Sequence, residues 1–97
     1  MKMTIKPSTK PNKKLMAVFT KDNGRTKTTH FGAKGMDDYT ITKDKEQRAR
    51  YIKRHTNSRE NHSNYMSAGA LSRHILWGAS TSRSANISAY KRRFGLS

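Results

Sequence analysis

Twenty-one Lys and Arg residues stand against six Asp and Glu in a chain of 97, a formal charge of +15 at neutral pH. A soluble small domain ordinarily carries a net charge of magnitude about 2–8. Self-repulsion on the larger scale works against a compact state unless an anionic neighbour screens it. The excess is not confined to a tail. Residues 1–41 hold nine cations and three anions, residues 42–60 seven and three, and residues 61–97 five cations and no carboxylate. Any fold must therefore distribute cations over its whole surface, and the expected partner is a polyanion. The apolar stock is small, 32% of residues, enough for one thin core in a single domain spanning 1–97.

The residue inventory removes several chemistries. There is no cysteine, so disulfides and thiolate zinc sites are excluded. His30, His55, His62 and His74 include no i,i+4 pair to grip zinc on one helix, and neither a metal nor another cofactor is expected. Asp37-Asp38 is the sole carboxylate doublet, and adjacent positions do not converge on one substrate atom. An Asx-type turn before Tyr39, or pairing with Lys34, accounts for it better. No G-x-S-x-G elbow and no G-x-x-x-x-G-K-[ST] loop occurs, so the chain is expected to be no enzyme and to have no small-molecule substrate. Behind Met1 there is no secretory h-region, and no apolar stretch approaches the roughly 18–20 residues of a membrane span. A complete, non-secreted product without a transmembrane segment is expected.

Patterning predicts an α+β fold, a small N-terminal antiparallel hairpin or sheet followed by two or three short helices. Lys2–Lys6 alternates, with Met3 and Ile5 on one side; Leu15–Thr20 does the same with Leu15, Ala17 and Phe19. Asp22-Asn23-Gly24 is a hairpin turn and Arg25–Phe31 the return strand. Pro7 and Pro11 lack ladder donors, so residues 7–14 read as a flexible arm. Phe31-Gly32-Ala33-Lys34-Gly35 is a glycine-punctuated loop, in which G-x-x-G is a tight turn leaving Lys34 free to touch phosphate. Tyr39-Thr40-Ile41 suggests a short fourth strand closing the β part at residue 41.

From residue 42 the period becomes helical. Asp44 with Gln47 fits a capping box, Thr42 being the rival N-cap. A helix from there to about His55 puts Ala49 and Ile52 on its inner side, flanked by Tyr51 and His55, and Arg50, Lys53 and Arg54 on the other. The polar stretch 56–64 reads as a loop. Ala68, Leu71, Ile75 and Leu76 support a second helix stopping at Gly78. A third is capped within Ser80-Thr81-Ser82 and carries Ile87, Tyr90 and Phe94 inward. Gly95 suits its C′ position, and Lys91-Arg92-Arg93 suits the negative end of its dipole.

Three basic clusters emerge, Lys13-Lys14, then Arg50, Lys53 and Arg54, and finally Lys91, Arg92 and Arg93, with Lys34 of the glycine loop as a separate candidate. A solvated helix face or a complemented dipole explains any one of them, but not all three together. These nine residues are the expected polyanion-binding set. The pattern matches neither a homeodomain nor an RNP-type sheet, so binding directed at phosphates and tolerant of sequence is expected.

The strings Phe31-Gly32-Ala33-Lys34-Gly35, Asp38-Tyr39-Thr40-Ile41, Lys43-Asp44 and Arg50-Tyr51-Ile52-Lys53-Arg54-His55 resemble a family of small basic proteins of nucleocytoplasmic large DNA viruses, including the chlorella viruses. Ala68-Gly69, Leu76-Trp77, Ala85-Asn86-Ile87 and Arg92-Arg93-Phe94-Gly95 resemble its second half, so the likeness runs over roughly 14–95. The family's biochemical role is undefined, and no functional residue carries over. What the resemblance implies is a setting: a virion, with host cytoplasm or nucleus during infection. There the chain is expected to be a non-enzymatic minor capsid or internal virion protein bridging acidic partners, held by capsid proteins or nucleic acid, with an anionic membrane surface as a further contact. The alternative is a sequence-tolerant DNA- or RNA-binding protein that coats or condenses viral nucleic acid.

Overall fold

The computed structural model describes residues 1–56 and 64–97. Three strands, β1 (Lys2–Pro7), β2 (Lys13–Thr20) and β3 (Thr26–Ala33), form an antiparallel meander in that order. Helices follow: a single turn α1 (Tyr39–Thr42), α2 (Lys45–Thr56), a short α3 (Ala68–Leu71) running into a π-helical turn (Ser72–Leu76), and α4 (Arg83–Phe94). The architecture is α+β, as the patterning predicts.

Alternation fixes which face of the sheet is covered. Met3, Ala17, Phe19 and Phe31 are buried, and Ile5 and Leu15 join them half-buried. The register pairs Met3 with Phe19 and Leu15 with Phe31, so these residues share one face. Against them pack Tyr39, Tyr51, Leu71, Ile75, Leu76, Trp77, Tyr90 and Leu96 from the helical half. Lys2, Thr4, Lys6, Met16 and Val18 alternate with that set, and none of them is buried.

Two readings of the β part are corrected. Residues 7–14 are no flexible arm: Pro7 pairs with Leu15, Lys13-Lys14 open β2, and Ser8 N–H donates to Lys14 O at 3.1 Å. Pro7 is tolerated because β1 is the edge strand. Tyr39-Thr40-Ile41 is a helical turn and not a strand. Asp38 caps it, its carboxylate accepting from Thr40 N–H at 2.9 Å, and Lys43 ends it in the left-handed conformation at φ 57°. The local cap prevails over the β preference of the Tyr-Thr-Ile run.

The long helices start and stop where their capping residues dictate. Asp44 Oδ1 accepts from the N–H groups of Glu46 and Gln47, while the Gln47 side chain bonds Thr42 Oγ1 at 2.7 Å, so the reciprocal half of the capping box is diverted. Ser82 Oγ accepts from Ala85 N–H, and Gly95 closes α4 at φ 65°. The inner stripe of α2 is Arg48, Tyr51 and Ile52; Ala49 is exposed, against expectation. A methyl group gains little by burial, whereas Arg48 Nε reaches the carbonyls of Trp77 and Gly78 at 3.1 and 2.9 Å. The polar stretch expected as a loop lies, but for its ends, outside the described residues.

The π-helical turn is what brings Trp77 into the core. Trp77 N–H bonds back five residues to Ser72 O, and the Trp77 ring stacks on Tyr51 with centroids 4.2 Å apart and planes 7° from parallel. Asn86 then locks the next loop. Its amide donates to Ile75 O and Ser80 O and accepts from Ser80 N–H, all within 2.8–3.1 Å, so this buried polar side chain is satisfied.

Candidate nucleic-acid interface

The segment after β3 organises the cationic side of the molecule. Met36 N–H returns to Ala33 O across the Lys34-Gly35 turn, and Lys34 N–H bonds Asn12 O at 3.0 Å, tying this turn to the first hairpin loop. The chain then drops inward at Asp38, whose side chain is 1% exposed. Lys14 Nζ lies 2.7 Å from Asp38 Oδ2 and an Arg83 terminal nitrogen 3.3 Å from the same oxygen. Thr40 adds its N–H and its hydroxyl to Oδ1. Burial by itself would raise this carboxyl; the hydrogen bonds from Lys14 and Thr40 and the charges of Lys14 and Arg83 together outweigh it and hold the pKa below the usual range. The expected pairing of the doublet with Lys34 does not form at Asp38, because Lys14 and Arg83 saturate it.

Around this anchor lie three concavities of about 350, 500 and 430 Å³. Met36 and Asp37 line all three, Lys13 joins the first two, and Arg54, Tyr51 and Trp77 join the first and third. They therefore read as one furrow running past residues 33–37. Its cations are Lys13, Lys14, Lys34, Arg50, Arg54 and Arg83, of which Lys14 and Arg83 are engaged by Asp38. Met36 and Ile41, 65% and 52% exposed, supply apolar surface along it.

Five of the nine expected cations thus line one feature, and four of them are not engaged by Asp38. Lys14 is not available to a partner: its side chain is only 11% exposed and committed to Asp38. Lys53 is exposed on α2 but lines none of the three concavities. Lys91, Arg92 and Arg93 sit on the last turn of α4 away from the furrow, and Arg93 lines a separate concavity with Arg48 and Arg73. Arg48 and Arg73 escape the sequence reading. The signal for Arg48 was present, since it falls three and four residues before Tyr51 and Ile52, on the inner stripe. Arg73 is oriented by the π-helical turn, which has no local signature of its own.

Among the described residues no group of three His, Asp or Glu stands close enough to hold a metal, and no helix is long and apolar enough to cross a membrane. Residues 3–55 match the model of a family described as a family of unknown function (DUF5754), a span that takes in the sheet, α1 and nearly all of α2. No curated protein and no solved structure matches the chain.

Proposed function

The chain belongs to this family of unknown function, DUF5754, by a match over more than half its length, and on that premise we propose that it is a non-enzymatic, sequence-tolerant nucleic-acid-binding protein that holds a single strand in the furrow. The observation that carries the reading is the convergence of Lys13, Lys34, Arg50 and Arg54 around concavities whose one unneutralised carboxylate, among the described residues, is Asp37. Cations gathered along a furrow suit a phosphodiester backbone, and the exposed Met36 and Ile41 suit the apolar faces of unstacked bases. A duplex offers no such faces. The non-enzymatic part is supported by Asp38, the buried carboxylate beside the furrow, whose oxygens are occupied by Lys14, Arg83 and Thr40.

Binding of a single-stranded oligonucleotide of about 12 nucleotides should show log K falling with log salt at a slope near −3, for about four phosphates engaged. Changing Arg50 and Arg54 together to Gln should halve that slope to roughly −1.5 and weaken binding equally for all base sequences. A salt-independent affinity, or a double variant that binds as tightly as the parent, would sink the reading.

A second reading draws on Met36 and Ile41 alone: a minor structural protein of a large DNA virus particle, docked through these side chains on an acidic capsid neighbour. Apolar burial survives salt that screens phosphate contacts, so a complex with an acidic virion protein persisting in about 1 M salt would favour it over nucleic acid. Dissociation of every complex by such salt would count against it.

A further inference from the structure

A fourth concavity, of about 330 Å³, shares no lining residue with the furrow. Three arginines from three elements line it: Arg48 of α2, Arg73 of the π-helical turn and Arg93 of α4. The main chain at Trp77 positions two of them. Its carbonyl accepts from Arg48 Nε at 3.1 Å and from an Arg73 terminal nitrogen at 3.2 Å, and Gly78 O takes a second bond from Arg48 Nε. Arg48 is held through Nε and its guanidinium carbon stands 5.6 Å from the centre of the Tyr39 ring, while no described residue accepts from its terminal nitrogens. Arg93 makes no hydrogen bond to a described residue; its guanidinium carbon stands 5.6 Å from the centre of the Phe94 ring.

No carboxylate lines this concavity among the described residues. The consequence is visible at Arg73, whose pKa is lowered first by burial and then by the charges of Arg48 and Arg93, with Tyr51 acting the opposite way. Three guanidinium groups thus line one concavity with no carboxylate between them among the described residues, their repulsion offset in part by Tyr51 and by the Tyr39 and Phe94 ring faces. Tying down the Trp77 and Gly78 carbonyls accounts for the placement of Arg48 and Arg73, and the dipole of α4 favours a cation at Arg93, but neither requires the three to line one concavity.

We infer that the Arg48–Arg73–Arg93 concavity is a binding site for a phosphate monoester dianion, distinct from the furrow. The guanidinium fork matches a tetrahedral oxyanion two oxygens at a time. A monoester carries close to two charges near neutral pH, against one for an internal phosphodiester, and so compensates three cations better. The same chemistry is offered by inorganic phosphate, by a mononucleotide and by the 5′-phosphate end of a nucleic-acid strand.

Calorimetric titration of the full chain at low ionic strength tests this with three probes: inorganic phosphate, and one single-stranded oligonucleotide bearing either a 5′-phosphate or a 5′-hydroxyl. Saturable binding of inorganic phosphate is expected, weakened about tenfold or more by Arg93→Gln. Arg73→Lys should weaken it as well, because a point charge cannot replace the fork. Arg54→Gln should leave phosphate binding unchanged while weakening both oligonucleotides, which separates this site from the furrow. If the 5′-phosphorylated strand outbinds its hydroxyl counterpart and Arg93→Gln abolishes the difference, the source is a strand end. If the two strands bind alike while inorganic phosphate binds, the source is a free phosphate compound. Absence of saturable phosphate binding to the folded parent overturns the inference, as does an Arg93→Gln protein that melts like the parent and binds phosphate equally well.

Discussion

Asp38→Ala is expected to destabilise the fold by roughly 3–5 kcal/mol, the penalty for removing one partner from a buried ion pair. The carboxylate joins three parts of the chain: Lys14 of β2, Thr40 of α1 and Arg83 at the start of α4. Without it, Lys14 is left 11% exposed with no opposite charge, and α1 loses its cap. A total stability of about 5–15 kcal/mol is usual for a domain, so this single change would bring the chain near unfolding. Asp38→Asn should cost less, because an amide oxygen can still accept from Thr40 N–H.

The pH dependence has a definite sign. The folded pKa of Asp38 is depressed below the ordinary 3.8, so its contribution is complete above that value. It is lost as the pH falls from there through the lower folded pKa. Thermal melts of the parent and of Asp38→Asn should differ most near neutrality and converge in acid below about pH 4. A gap of constant size from pH 7 down to about pH 2.5 would show that the ion pair is not what stabilises this junction.

Gly78→Ala is the second large effect, about 3 kcal/mol in urea denaturation. A Cβ at this position would meet the His74 carbonyl oxygen and stand 2.7 and 2.8 Å from Asn86 Cγ and Oδ1. The carbonyl belongs to the π-helical turn, and Asn86 is fixed by its bonds to Ile75 and Ser80. Neither can retreat without disturbing the π-helical turn or the Asn86 hydrogen bonds. Adding Asn86→Ala should not rescue the variant, since the main-chain clash remains and three hydrogen bonds are lost. A Gly78→Ala protein within about 1 kcal/mol of the parent would mean that the main chain here yields readily.

The elements that were legible in advance are those with local causes. Strict alternation in 2–6 and 15–20, the Asp22-Asn23-Gly24 turn, the Asp44 cap of α2, and Ser82 and Gly95 at the two ends of α4 each act over a few residues. The failures lie where local preferences compete and the tertiary setting decides between them. In Tyr39-Thr40-Ile41 the side chains favour strand while Asp38 favours helix, and only the cap's partners across the molecule show which prevails. Pro7 reads as a strand breaker until its place on the sheet edge is known. The furrow was half legible. Arg50 and Arg54 are one helical turn apart and share a face by geometry alone, but nothing in the local sequence places Lys13 and Lys34 beside them.

Net charge is additive and independent of arrangement, so the amino-acid sequence by itself determined that this molecule carries a large cationic surplus, a thin apolar core and an α+β order of elements. Which cations are neutralised, and which converge, was decided only by tertiary structure. Lys14 meets Asp38 across 24 positions and Arg83 meets it across 45, and Arg48, Arg73 and Arg93 come together from three separate helical segments. Such encounters depend on how the sheet and helices pack as a whole, because a charge has no preferred direction along the chain and the packed core alone fixes where its side chain comes to rest.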